Sequence, residues 1–226
     1  MNAEFLQTFW ISIKLASLTT AILFIVGIPI AYFLSYSKFR LKVVLQALVS
    51  MPLVLPPSVL GFYLLLAFSP NYWFGKFLLN YFDVQLAFTF LGILVGSLIF
   101  NLPFMVNSIQ TGLSNLPASL KDASYSLGKS RITTLMKVLL PNIKPAILTG
   151  ICLTFAHTIG EFGVILMIGG NIPGKTRVAS LAVYDSVQAL NFTEAHNYAL
   201  FLFAFSFLIL IFIYSINKEY LRWKKF

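Results

Sequence analysis

The chain has 226 residues, of which 58% are hydrophobic, 16% aromatic and 10% charged, against roughly 45–50% apolar and 25% charged for a soluble domain. A compact body of this size cannot hide so much apolar surface from water, which excludes a water-soluble globular protein and makes lipid the solvent. Sixteen Lys and Arg against seven Asp and Glu give +9; the single Cys excludes a disulfide framework, and two His with one Cys cannot build an ordinary closed zinc site.

Five stretches, 9–34, 43–68, 86–109, 146–168 and 198–216, are apolar and long enough to cross ~30 Å of hydrocarbon. The expected architecture is all-α: one polytopic membrane domain over 1–226 with about five transmembrane helices, joined by segments 35–42, 69–85, 110–145 and 169–197. The N-terminal residues Met1, Asn2, Ala3 and Glu4 lack the basic region of a signal peptide, so the first span is expected to be retained. Lys14 falls inside that span. The simpler reading has it snorkel to the headgroups, and the sharper one has it line a pathway.

The positive charges sort by side. Lys38, Arg40 and Lys42 lie in 35–42; Lys121, Lys129, Arg131, Lys137 and Lys144 lie in 110–145; Lys218, Arg222, Lys224 and Lys225 lie in the tail. The opposite side carries only Lys76, Lys175 and Arg177. The positive-inside rule then puts the N-terminus outside and the C-terminus in the cytoplasm, with Trp10 and Trp223 suited to the two aromatic belts. The net charge is mostly topology, and no nucleic-acid partner is expected.

The second span contains Pro52, Pro56 and Pro57, and further prolines fall at Pro29 in the first and Pro103 in the third. Each removes a backbone donor and frees a carbonyl, which is tolerable in lipid only where other helices or water satisfy it. The second span is expected to be kinked or locally unwound around Pro56, Pro57 and Ser58. It then either lines a transport path or packs as a bent helix. Gly92 and Gly96 in the third span form a GxxxG helix-packing pattern.

Segment 110–145 reads as two short helices at a sharp turn. Asn115 is the expected N-cap with Pro117 in the first turn, Leu120, Ala123 and Leu127 recur at helical spacing, and Gly128 suits a left-handed C′ position. A second helix is expected from Ser130, with Ile132, Leu135, Met136 and Leu139 on one face and Pro141 ending it. Such a pair offers a rigid knob to a cytoplasmic partner.

The order Asp122-Ala123-Ser124, three residues, Gly128, nine residues, Val138-Leu139-Leu140-Pro141 resembles the "EAA" loop of binding-protein-dependent ABC importer permeases, written E-A-A-x3-G-x9-I-x-L-P. Asp stands for Glu, Ser for the second Ala and Val for Ile, while the Gly, the Leu-Pro and the spacing are kept. The run Pro52 to Pro57, Gly160-Glu161-Phe162-Gly163 and the stretch from Asn171 to Arg177 are similar to the molybdate permease branch, with sulfate permeases as near relatives. The resemblance implies a type I permease of the bacterial inner membrane. It would pair with a second copy of itself, two cytoplasmic ATPase subunits that bind ATP and Mg, and an extracytoplasmic protein capturing molybdate or tungstate. No cofactor, metal or catalytic residue is expected in this chain. The coupling loop, 114–141, would contact the ATPase through Leu120, Asp122, Ala123, Ser124, Leu127, Gly128, Arg131, Leu140 and Pro141. Pro56, Pro57, Ser58, His157 and Glu161 would border the path or its gate.

Residues Gly169 to Thr176 also satisfy G-x4-G-K-[ST], the phosphate-cradling pattern. A P-loop needs a preceding buried strand and a following helix, whereas this stretch follows a membrane span, so a turn is expected and ATP would be hydrolysed in trans. Glu161 is the one acidic residue within a span, with His157 four residues earlier on the same helix face. It is expected to be protonated, paired with His157 or hydrogen-bonded to backbone; a structural polar clamp is the simpler reading and direct gating the sharper one. With Lys14 the one cation within the spans, side-chain charge cannot assemble a strong anion site, and a low-affinity hydrated passage follows. The rivals are a secondary transporter or channel, which would show intramembrane relays or inverted repeats, and an intramembrane enzyme built on Cys152, His157 and Glu161.

Overall fold

The structure, a computed structural model, describes residues 3–223, and the side chains among them apart from Ile213 and 216–223. Trp223 and the tail cations Lys218, Arg222, Lys224 and Lys225 therefore lie outside the described side chains. The chain is helical throughout, with no strand among the described residues. In order it forms α1 (Ala3–Tyr36), α2 (Lys42–Val54), α3 (Pro57–Phe68), α4 (Trp73–Phe82), α5 (Phe90–Ser114) and α6 (Ala118–Ser126). There follow α7 (Arg131–Thr134), a π-helical turn (Leu135–Leu139), α8 (Leu140–Asn142), α9 (Lys144–Gly160), α10 (Gly163–Gly169), α11 (Ala179–Gln188) and α12 (Phe192–Trp223).

Three helices, α1, α5 and α12, are each long and apolar enough to span, and the count reaches five when two bent pairs are included. The second expected span is broken outright: α2 and α3 meet at 110° across Leu55 and Pro56. The fourth departs from the expected 146–168 helix. Its apolar run is cut after Gly160, where Glu161 takes an extended backbone (φ −64°, ψ 131°) and α10 starts afresh at Gly163. Before it, the helix Arg131–Asn142 joins Lys144–Gly160 at 80°. Two segments expected as loops contain helices: α4 within 69–85 and α11 within 169–197. Both are only 10 residues long, too short to declare themselves by propensity, and tertiary packing decides them.

The centre of the bundle is α1 against α5 and α9. In lipid nothing hydrophobic drives helices together, so close approach at small residues does. A Cβ on Gly27 of α1 would lie 2.9 Å from Met105 Cγ of α5, and one on Gly112 of α5 would lie 2.6 Å from Ala146 Cβ of α9. The Gly92 and Gly96 pair has its partner within the chain: a Cβ on Gly96 would sit 2.6 Å from Ile168 Cδ1 of α10. The core formed by Leu23, Ala31 and Leu34 of α1 with Met105, Val106, Ile109 and Leu113 of α5 also takes in Leu139, Leu140 and Ile143. The root of the α7–α8 arm is therefore set in the bundle interior.

α1 is longer than the hydrocarbon requires. Its 34 residues, at about 1.5 Å each, reach about 51 Å against a ~30 Å apolar layer. Its two ends meet the two polar faces of the protein: Glu4 at one end pairs with Arg177, and Tyr32 and Tyr36 at the other touch α6. Pro29 leaves α1 unbroken, as Pro103 does α5.

Candidate functional site

Two broken spans pack against each other. At the first, Pro56 and Pro57 carry no N–H, so the carbonyls they would have served in a continuous helix lose their donors. Leu55 N still donates to Met51 O at 3.1 Å, and α3 restarts with Val59 N donating to Pro56 O at 2.9 Å. Pro56, Pro57 and Ser58 are exposed in the single chain, as is the apolar face formed by Val43, Val44, Leu48, Met51, Val54 and Tyr63. At the second break, Gly163 packs on the first: a Cβ there would fall 2.8 Å from Pro57 Cβ and 3.3 Å from Ser58 N.

Glu161, at the second break, is buried and directed at α5. Asn101 Nδ2 donates to Glu161 Oε2 at 2.9 Å and to Ser97 O at 2.9 Å. With both amide hydrogens directed there, Asn101 Oδ1 is the acceptor for His157 Nδ1, at 2.8 Å, which places the imidazole proton on Nδ1. His157 and Glu161 are thus joined through Asn101 rather than to each other, because the helix on which they were to share a face ends between them. The imidazole lies against Phe104 and Phe100, with ring centroids 4.2 and 5.2 Å away. The carbonyl freed at Glu161 accepts from Ser180 Oγ of α11 at 2.5 Å. Glu161 Oε1 and Ser97 Oγ are left without partners in the chain. Asn101 and Ser180 were not singled out from sequence. Asn101 had a signal, being an amide in the middle of an apolar run; Ser180 had none, since its value depends on where α11 docks.

The second constellation is the arm between α5 and α9. Here Pro117, not Asn115, is the N-cap of α6, and Asn115 is the C-cap of α5. The reason is that α5 runs on to Ser114, which leaves no room for a separate cap. Gly128 has φ +70°. Gly128 N donates to Tyr125 O at 2.9 Å and Lys129 N to Ser124 O at 3.1 Å, the paired bonds of a Schellman end that favour glycine at this residue. Ser130 then caps α7, its Oγ accepting from Thr133 N at 3.2 Å.

The expected apolar stripes are redistributed. On α6 the buried residue is Ser124, hydrogen-bonded to buried Thr134 at 2.9 Å, so the Ser that replaces Ala in the loop pattern cross-links the two arms of the turn. Ala123 is exposed and Leu120 half-buried. On the second arm the π turn shifts the register, sending Leu139 inward while Ile132 and Met136 remain 76% and 58% exposed beside Leu127 at 76%. Pro141 does not end this helix, which continues to Asn142; its missing N–H falls just after the π turn, where the ladder is already shifted. Lys121 Nζ sits 4.4 Å over the Tyr36 ring, Tyr36 Oη donates to Leu113 O at 3.2 Å, and Tyr32 and Tyr125 hydroxyls meet at 3.4 Å. Asp122 and Arg131 are exposed. Buried Leu140 sits in the core. The outcome is a stiff knob with an apolar tip, clasped to the end of α1.

The stretch 169–176 is a self-closed turn. Thr176 Oγ1 donates to Gly169 O at 2.6 Å and accepts from Ile172 N at 2.9 Å, while the amides of Lys175, Thr176 and Arg177 all point to Ile172 O. Those amides are spent internally, and α10 precedes the stretch where a P-loop has a strand. Arg177 ties the turn down, meeting Glu4 at 2.6 Å and Asp185 at 3.2 Å, with Asn171 also donating to Asp185. Lys14 is exposed, its Nζ 4.7 Å from the Phe90 ring centroid, and it shares a cavity of about 510 Å³ with Trp10 and Lys175. No group of three or more His, Cys, Asp and Glu that could hold a metal occurs among the described residues.

This architecture of broken spans around a protruding two-helix arm matches known proteins. The family model of the "binding-protein-dependent transport system inner membrane component" matches residues 10–222. The chain belongs to that family. The permease is 42% identical over 187 residues to the molybdenum transport system permease protein ModB of Azotobacter vinelandii, covering 82% of each chain. It is 36% identical over 169 residues to the sulfate transport system permease protein CysT of Salmonella typhimurium, covering 75% of this chain and 61% of that one. Among solved structures, a chain of the bacterial alginate ABC transporter superposes with a TM-score of 0.81 at 14% identity, covering 97% of the permease and 80% of that chain. One from the MetNI methionine ABC transporter in inward-facing conformation gives 0.74 at 16% identity, with 97% and 99% covered. At those identities the likeness is one of fold. The permease is therefore a multi-pass membrane protein of the ABC importer permease family.

Proposed function

We propose that the permease forms, with a second copy of itself, the membrane path of an ATP-driven importer for a tetrahedral oxyanion, with molybdate first and tungstate or sulfate as the alternatives. The observation that carries this reading is the 42% identity to ModB, which runs over 82% of both chains rather than through one motif. The lower identity to CysT, 36%, orders the alternatives. In this reading the N-terminus faces outward, the membrane is the bacterial inner membrane, and a separate extracytoplasmic protein delivers the anion. Two cytoplasmic ATPase subunits bind ATP and Mg and receive the knob of Leu127, Ile132 and Met136 in a cleft. Asp122 and Arg131 flank that contact.

The mechanism follows from stiffness. Closure of the ATPases presses on α6; Ser124–Thr134 keeps α6 and α7 together; and Leu139 and Leu140, set in the core, carry the displacement to α5 and α9. The breaks at Pro56 and Glu161 let α3 and α10 move as short bodies against one another. The test is reconstitution of the permease with its ATPase and binding protein in proteoliposomes. ATP-dependent molybdate uptake exceeding sulfate uptake is expected. Sulfate preference would reverse the order of substrates, and no ATP-dependent oxyanion uptake would refute the reading. Lys175→Ala should leave ATP hydrolysis intact. Gly128→Val, which forces a Cβ into a left-handed backbone at about 1–2 kcal/mol, should weaken ATPase co-purification or uncouple hydrolysis from uptake, and normal coupled uptake would remove the arm from the mechanism.

A further inference from the structure

At the end of the bundle that carries α6, a cavity of about 440 Å³ opens between α2 and α5. Gln46 and Ser50 supply one wall, and Asn107, Gln110, Thr111 and Ser114 the other. Their spacing, four apart on α2 and three to four apart on α5, puts each set on a single helix face. It is a face apart from the others. Ile109 and Leu113 of α5 belong to the buried core, and Val43, Val44 and Leu48 of α2 are exposed apolar surface. The lining contains neither Asp, Glu, Lys nor Arg, and no apolar side chain. Within it Asn107 Nδ2 donates to Ser50 Oγ at 3.3 Å.

A stripe of amides and hydroxyls turned to hydrocarbon is costly, so this face meets water or another protein surface. The cleft is many times the ~30 Å³ that one water occupies in the liquid. Each amide presents two N–H donors and each hydroxyl one. No carboxylate repels an anion there and no ammonium traps one; the donors are neutral amides and hydroxyls, which add no attracting charge of their own. We infer that this cleft is the waypoint at which the oxyanion, still hydrated, leaves the membrane path, held briefly by neutral amide and hydroxyl donors. The inference rests on the importer reading and adds a site to it. The wall is also the element that the ATPases move: α5 is capped by Asn115, which lines the same cavity, and α6 begins at Ala118. Displacement of α6 therefore reshapes the cleft.

The test uses the assembled importer in proteoliposomes with radiolabelled molybdate, reading uptake per ATP hydrolysed. Gln110→Glu and Asn107→Asp place a like charge in the cleft and should lower that ratio by about tenfold or more, the scale of a charge pair felt through an effective dielectric of about 20. Gln110→Asn, which keeps the donors, should restore most of it, an outcome that simple misfolding would not give. Cysteines at Gln46 and Thr111 in a Cys152→Ser background should react with a small hydrophilic thiol reagent and be protected by molybdate. Unchanged uptake in the acidic variants, or cysteines silent in every nucleotide state because a second copy fills the cleft, would overturn the inference while wild-type uptake upheld the importer. Absence of uptake by the wild-type complex would sink both.

Discussion

The two breaks in the membrane spans reach the same backbone result by opposite means. Between α2 and α3 the chain turns through 110° because Pro56 and Pro57 cannot continue a helix, and the turn is exposed in the single chain. Between α9 and α10 no proline intervenes. Glu161 and Phe162 leave the helix because side chains from elsewhere take over the polar groups there: Asn101 holds the Glu161 carboxyl group and Ser180 its backbone carbonyl. The first break is local and covalent, the second is tertiary. A break made by proline survives changes around it, whereas one made by hydrogen bonds depends on every partner being present.

That contrast is open to test, and the largest effect belongs to Asn101→Leu. It strips both Glu161 Oε2 and His157 Nδ1 of their partner, and at ~1–3 kcal/mol for each buried group left unpaired the loss should be roughly 2–6 kcal/mol. Thermal unfolding of the purified permease in detergent reads it. A stability equal to that of the unsubstituted chain would mean that the second break does not depend on its hydrogen bonds.

Next is Gly163→Val, which drives a side chain into Pro57 at the contact where the breaks touch. Overpacking should cost about 1–3 kcal/mol and change thiol labelling of a cysteine at Ser58. A change confined to stability would show that the two breaks do not move against each other. Ser180→Ala removes one hydrogen bond and should cost about 1 kcal/mol; it is read by faster hydrogen exchange at 160–163. The smallest effect is that of Pro56→Ala. With Pro57 still in place at the start of α3, where its lost donor has no helical partner to miss, stability should shift by under about 1 kcal/mol. A loss of several kcal/mol there would erase the distinction between the breaks.

The arm carries the same lesson at smaller scale. Gly128 was legible from sequence, since a left-handed helix end nearly demands glycine, and so was a second helix starting at Ser130, whose capping of that helix only the structure shows. Which of Ile132, Leu135, Met136 and Leu139 face inward was not: a regular 3.6-residue period treats them as one stripe, and the π turn divides them. Likewise Ser124 read as a mild departure from Ala at a loop position, and its bond to Thr134 appears only when the two arms fold together.

The sequence by itself determined that the chain lives in lipid, that its apolar runs allow five crossings, that one crossing breaks at Pro56, that 169–176 is no nucleotide cradle, and that a glycine-hinged arm joins the third and fourth crossings. These rest on composition, on backbone chemistry and on short-range spacing, all carried by neighbouring residues. The tertiary structure alone decided that the fourth crossing breaks at Glu161, that Asn101 stands between His157 and Glu161, that α4 and α11 are helices, and that amides from α2 and α5 face one cleft. Each of these joins groups far apart in the chain. In a membrane a polar side chain must find its partner wherever packing brings one, and sequence spacing holds no record of that meeting.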